Sequence, residues 1–213
     1  MRVLMLSKAL VVGAYQRKAE ELAKLGVELL VVTPPSWILE GTPQVLERQY
    51  TSGYQLAVEP IALNGHFHLH FYPRLGRRFA AFLPELVHVD EEAYNLATFQ
   101  TVALARRYGA RSVFFTWQNL DRRYPWPFSA MERYVLRSAD ACIAGNQEAA
   151  EIQRRRHFAK RVRVIPQFGV DPELFRPAAT QHDGFVAGFA GRLVPQKGLW
   201  LLCDAFEQLP ADS

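Results

Sequence analysis

Apolar residues fall in short dense runs separated by amphipathic stretches. Residues 3–6 form the first run, suited to a buried strand. Residues 13–25 then turn helical, with Ala19, Leu22, Ala23 and Leu25 on one side and charges elsewhere. Gly26 supplies a stop signal, because it takes the left-handed cap conformation without a Cβ penalty. Residues 27–33 are a second apolar, β-branched run, ended by Pro34 and Pro35. Strand, helix and strand in this order make a βαβ unit, which implies a parallel sheet with a right-handed crossover.

Residues 54–63 and 66–72 read as two strands joined at Asn64-Gly65, a dipeptide that favours tight hairpin turns. His66, His68 and His70 would then share one strand face, a flat row that converges poorly on a metal ion. Parallel-sheet logic resumes at residues 86–89, followed by Asp90-Glu91-Glu92. A helix over 96–108 stopped by Gly109, a strand over 112–116, a helical stretch over 131–138 and a strand over 141–144 come next. Asn146 is placed to cap a helix running to about residue 156, and residues 162–166 form a further short strand. This alternation predicts an α/β fold, a Rossmann-like doubly wound parallel sheet, over residues 1–177. Residues 178–184 read as a linker. The pattern then restarts with an apolar strand over 185–190, a turn at Gly191-Arg192 and a helix over 199–209. One such unit cannot bury a sheet of its own, so residues 185–213 are expected to be the first strand-loop-helix of an incomplete second domain.

Composition changes this picture little. The chain has 213 residues, 49% of them hydrophobic and 22% charged, which suits a globular α/β protein rather than a disordered or fibrous one. A formal charge of +4 falls short of a polyelectrolyte-binding surface, and no nucleic-acid partner is expected. Cys142 and Cys203 stand in no metal-binding spacing. No apolar stretch reaches membrane-spanning length, and Lys8 interrupts the first apolar run, so a cytoplasmic location is expected. The densest basic cluster, Arg154, Arg155 and Arg156, is a candidate for peripheral contact with anionic lipid headgroups or a solvated helix end.

The candidate chemistry lies where strands end. Arg192 and Lys197 flank a strand-to-helix junction suited to phosphate oxygens, or are solvated loop charges. Gly13 follows the first strand, at an ordinary turn or a close approach to a ligand. Glu91 and Glu92 sit beyond the strand over 86–89, as binding carboxylates or as acids favoured by a helix dipole. Trp117 and Asn119 end the next strand, where an indole can stack on a sugar and an amide can bond hydroxyls, or where both simply pack.

Phe189-Ala-Gly-Arg192-Leu-Val-Pro-Gln-Lys197-Gly198 resembles the start of the donor-binding domain of glycosyltransferase family 4, the group 1 retaining enzymes of the GT-B fold. Ala144-Gly-Asn146-Gln-Glu-Ala, Val164-Ile-Pro-Gln-Phe-Gly169-Val-Asp171 and Leu174-Phe175-Arg-Pro177 are similar to segments closing that family's acceptor-side domain, and Val87-His-Val-Asp-Glu91-Glu92 to its mid-domain strand and loop. The resemblance implies the N-terminal half of a GT-B fold with a truncated second domain. It further implies transfer of a sugar, with retention, from a nucleotide-sugar donor to a glycan, lipid-linked or small-molecule acceptor, without a divalent metal. Arg192 and Lys197 would bind the donor diphosphate and Gly13 would face it, while Glu91, Glu92, Trp117 and Asn119 become acceptor-side candidates. Family members commonly pair two glycines where this chain has Val12-Gly13, and many carry a histidine near residues 117–119 that is absent here. The family's glutamate pair would lie beyond Ser213, so little transfer is expected from these residues alone. Two other readings remain: another GT-B enzyme, such as a sugar-nucleotide epimerase or phosphorylase, and a non-catalytic Rossmann-like binding module.

Overall fold

Leu4, Leu6, Leu30 and Val32 pack on one side of a sheet while Val3, Met5, Leu29 and Val31 pack on the other. Their strands, β1 (Arg2–Leu6) and β2 (Glu28–Thr33), pair in parallel inside a seven-stranded sheet. The computed structural model describes residues 1–177 and 185–209. Both faces of β1 and β2 are covered, which is why their sequences run almost without polar residues.

Two short 3₁₀ turns (Ala9–Val11 and Gly13–Gln16) lead from β1 into helix α1 (Arg17–Lys24). A separate antiparallel hairpin, β3 (Ser36–Leu39) and β4 (Thr42–Val45), follows β2. The chain continues through β5 (Gln55–Val58), α2 (Leu75–Phe82), β6 (Leu86–Val89), α3 (Leu96–Arg107) and β7 (Arg111–Thr116). The alternation closes with α4 (Phe128–Ser138), β8 (Ala141–Ala144), α5 (Gln147–Arg155) and β9 (Arg161–Val164). The order in the large sheet is β5-β2-β1-β6-β7-β8-β9, and every pairing is parallel. Leu75 and Phe79 of α2, with Ala97 and Ala105 of α3, cover one face, and Ala19 of α1 covers the other. This is the doubly wound parallel α/β architecture that the sequence predicts. Asn146 caps α5 as its side-chain oxygen accepts the Ala149 N–H at 2.8 Å.

Strand order reverses between β1 and β6, so these two strands form the switch point of the sheet. Their C-terminal ends bring Ser7-Lys8 and Asp90-Glu91 together, as Ser7 Oγ donates to Asp90 Oδ2 at 2.9 Å and Lys8 pairs with Glu91.

Residues 54–72 depart from the expected edge hairpin. Only β5 is a strand there, and it runs parallel to β2. Ala62 and Phe71 make a single antiparallel bridge, and the chain between them closes into turns as the His70 N–H donates to His66 O at 3.0 Å. Local bonds therefore satisfy backbone groups that a ladder would have used. The three histidines share no strand face: His70 is buried, while His66 and His68 are exposed. Among the described residues no group of three or more His, Cys, Asp or Glu side chains is placed to hold a metal ion, and no helix is long and apolar enough to cross a membrane.

The chain divides into two compact units, Met1–Gly169 and Val170–Ser213. In the second, residues 185–190 form no strand, correcting the expectation, because the unit's described residues offer no neighbouring strand to complete a ladder. A 3₁₀ turn (Pro195–Lys197) leads through Gly198 into α6 (Leu199–Glu207), which buries none of its residues. The expected linker, 178–184, lies outside the described residues. Cys142 and Cys203 are free thiols.

Candidate functional site

The three consecutive acids after β6 have three different surroundings. Asp90, whose side chain is fully buried, accepts from Ser7 Oγ at 2.9 Å and Lys18 Nζ at 2.9 Å through Oδ2, and from Gln167 Nε2 at 3.0 Å through Oδ1. These partners satisfy it and tie β1, α1 and the segment after β9 to the end of β6. Asp90 is a brace.

Glu91 is also internal. Its side chain is 2% exposed, ion-paired with Lys8 and bonded by Asn95 Nδ2 at 3.2 Å. The Lys8 ammonium lies over the Trp37 and Phe67 rings, 5.1 and 5.5 Å from their centroids. Burial pushes the Glu91 carboxyl up, but Lys8 and His70 outweigh it and hold it down at about 2. Glu91, an acceptor-side candidate, is thus paired inward and is not among the residues that line the cavity described below. Strand-end position alone does not distinguish a lining carboxylate from one claimed by a distant lysine.

Glu92 is different. Its Oε2 accepts from Thr116 Oγ1 and its Oε1 from the Trp117 backbone N–H, each at 2.7 Å. Burial nevertheless dominates and raises its carboxyl to about 7. Glu92 lines a cavity of about 320 Å³ together with Tyr94, Trp117, Asn119, Arg122 and Tyr124. Tyr94 and Tyr124 stack with centroids 4.0 Å apart, and His68 meets both edge-on. Of the acceptor-side candidates, the structure thus unites Glu92, Trp117 and Asn119.

Trp117 is held from three sides. Its backbone bonds Glu92, its Nε1 donates to Gln167 Oε1 at 2.6 Å, and its ring lies against Gly145, where a Cβ would come within 2.4 Å. Trp117 is 44% exposed, its indole fixed at its nitrogen yet the residue open to solvent. Gln167, Tyr94, Arg122 and Tyr124 were not among the site candidates. Gln167 had a legible signal, since it follows the last strand at the same sheet edge as Asp90 and Trp117.

Gly13 meets a carboxylate already. Its N–H donates to Glu47 Oε2 at 2.6 Å, and a Cβ at Gly13 would reach Gln49 side-chain atoms at the same distance. Buried Gln16 holds this strap, donating to Leu10 O and Glu47 O at 2.9 and 2.6 Å. Arg192 and Lys197 are exposed residues of the second unit, on the segment that leads into α6.

The basic cluster also divides. Arg154 and Arg155 are exposed, but Arg156 pairs with Glu132 and with Asp121 at 3.0 Å, and donates to Arg122 O at 2.6 Å. Arg156 therefore anchors the loop after β7, and Arg154 and Arg155 are the exposed members of the run.

A Rossmann-like α/β domain of the GT-B type, with a cavity beyond the ends of β6 and β7, is the class these features define. The chain belongs to the glycosyl transferase 4-like domain family, whose model matches residues 12–167. No curated protein matches the sequence. Among solved structures, it is similar to a UDP-GlcNAc 2-epimerase from Neisseria meningitidis bound to UDP-GlcNAc, at 13% identity over 76% of this chain and 46% of that one, with a TM-score of 0.46. A second UDP-N-acetylglucosamine 2-epimerase gives 13% identity over 73% and 45%, with a TM-score of 0.49. The chain thus spans less than half the length of these two structures.

Proposed function

We propose that these residues form the acceptor-binding side of a retaining glycosyltransferase, which moves a sugar from a nucleotide-sugar donor to a glycan, lipid-linked or small-molecule acceptor. Family membership supports the reaction class. The observation that carries the acceptor assignment is the cavity bringing Glu92, Trp117 and Asn119 together beyond β6 and β7. In this reading the acceptor ring lies on the exposed Trp117 face, Asn119 bonds its hydroxyls, and Glu92 holds the hydroxyl that attacks. A carboxyl titrating near 7 both donates to and accepts from that hydroxyl around neutral pH. Arg192 and Lys197 neutralise the leaving nucleoside diphosphate, as guanidinium and ammonium groups do for phosphate oxygens. No step calls for a divalent ion, and the protein acts in the cytoplasm, where nucleotide sugars are its substrates.

Saturation-transfer NMR with neutral mono- and disaccharides tests the assignment on the full chain. Contact signals that disappear in Trp117→Ala and Glu92→Ala are the expected result. Equal signals in wild type and both variants would place carbohydrate elsewhere and overturn it.

A further inference from the structure

The cavity beside Glu92 is lined in part by an arginine, and the acids around it are already engaged. Arg122 lines the cavity, and no carboxylate pairs with it among the described residues. Asp121 and Glu132 are both taken by Arg156. Glu92 spends one lone pair of each oxygen on Thr116 and Trp117. Asp90 and Glu91 are bound inward by Lys18 and Lys8. Arg156 also fixes the loop that presents Arg122, bonding Gln118 Oε1 at 3.2 Å and Arg122 O at 2.6 Å. The backbone that carries Arg122 is thus held at the wall of an aromatic pocket, and its exposed side chain ends in a planar fork of donors.

We propose that the acceptor is an anionic sugar, which places its ring on Trp117 and Tyr124 and its phosphate or carboxylate group on Arg122. This deepens the acceptor reading and rests on it. Below about pH 7 burial keeps Glu92 mostly protonated and Arg122 is the formal charge among the lining residues, so anion binding should weaken as pH rises through 7 and Glu92 ionises. A guanidinium meets phosphate and carboxylate alike with two parallel N–H bonds, so both sources share this recognition chemistry.

The test is calorimetric titration of the full chain with glucose, glucuronic acid, glucose 1-phosphate and inorganic phosphate. At least one anionic sugar should bind about tenfold or more tightly than glucose. Preference for glucuronic acid or for glucose 1-phosphate identifies the source of the charge. That preference should vanish in Arg122→Ala, return in part in Arg122→Lys, and persist in Arg123→Ala, whose exposed side chain is outside the cavity lining. Glucose binding as tightly as both anionic sugars, dependent on Trp117 and indifferent to Arg122, overturns the anionic preference and leaves the acceptor reading intact. Inorganic phosphate matching glucose 1-phosphate also overturns it, since the ring would then add nothing. Absence of binding by all three sugars overturns both readings.

Discussion

Trp117 and Gly145 are in face contact at the ends of neighbouring parallel strands, so close that a Cβ at Gly145 would sit 2.4 Å from the indole. The glycine of the Ala144-Gly145-Asn146 segment therefore serves a tryptophan on the preceding strand. Gln167, from the segment after β9, binds the same indole at its nitrogen. Two stretches that look unrelated in sequence converge on one aromatic platform.

Gly145→Ala should push the indole out of place. The expected cost is about 1–3 kcal/mol, as for other overpacked sites, with a lowered thermal midpoint and a shifted tryptophan emission. Sugar contact in saturation-transfer NMR should fall along with the emission change. An unchanged midpoint and emission would show that the ring has another resting position of equal energy.

Glu92 and Glu91 should give opposite pH signatures despite being adjacent. Glu92 is raised to about 7, mainly by burial, so its folded form holds a proton that the unfolded form has released above about 4.5. Its contribution is present below that value and lost as pH rises toward 7. Glu91, held at about 2 against burial by Lys8 and His70, contributes above about 4.5 and loses that contribution as pH falls toward 2. Glu92→Gln should therefore gain stability relative to wild type between pH 5 and pH 8, by up to about 3 kcal/mol. Denaturant midpoints of both proteins at the two pH values measure this. A constant difference would mean that Glu92 titrates like an exposed carboxylate.

How much of this was legible follows from where each residue is satisfied. The strands over 86–89 and 141–144 match the expectation to the residue, because each is a short, largely apolar run with buried residues at every second position. The β3–β4 hairpin was not foreseen: β4 is exposed along its length and carries Pro43, so no periodicity marks it. Helix α2 was missed too, since Gly76, Arg77 and Arg78 dilute its apolar face. His66, His68 and His70 alternate as a strand would, but local turn bonds decided their backbone. At the site, three consecutive acids are equivalent in sequence. Lys8 and Lys18, more than seventy positions away, single out Glu92 by claiming the other two. Pairing over such separations leaves no local mark.

The Lys8–Glu91 pair is internal, so its halves should be unequal to their sum. Lys8→Met removes the main counter-charge of a buried carboxylate, leaving it Asn95 and His70, and should cost about 3 kcal/mol. Glu91→Gln strands the ammonium similarly. The double variant Lys8→Met with Glu91→Gln should recover a large part of the loss, because no buried charge is left without a partner. Chemical denaturation of the four proteins closes this cycle. Additive losses would show that the two groups do not sense each other.

Glu47 offers the sharpest test of Gly13. Its carboxylate already occupies the Gly13 N–H, at 2.6 Å, as an external anion would. A phosphate arriving at that N–H has to displace Glu47 and meets its negative charge while doing so. Glu47→Ala removes both obstacles, and Glu47 is exposed, so the fold should tolerate the change. Pyrophosphate should then bind about fivefold more tightly than to wild type, roughly the worth of one hydrogen bond. Fluorescence or calorimetric titration with pyrophosphate reads this directly, and a Glu47→Asp variant, which keeps the charge on a shorter arm, should show a smaller gain. Equal affinity in all three proteins would mean that Gly13 is an ordinary turn residue whose N–H the strap merely caps.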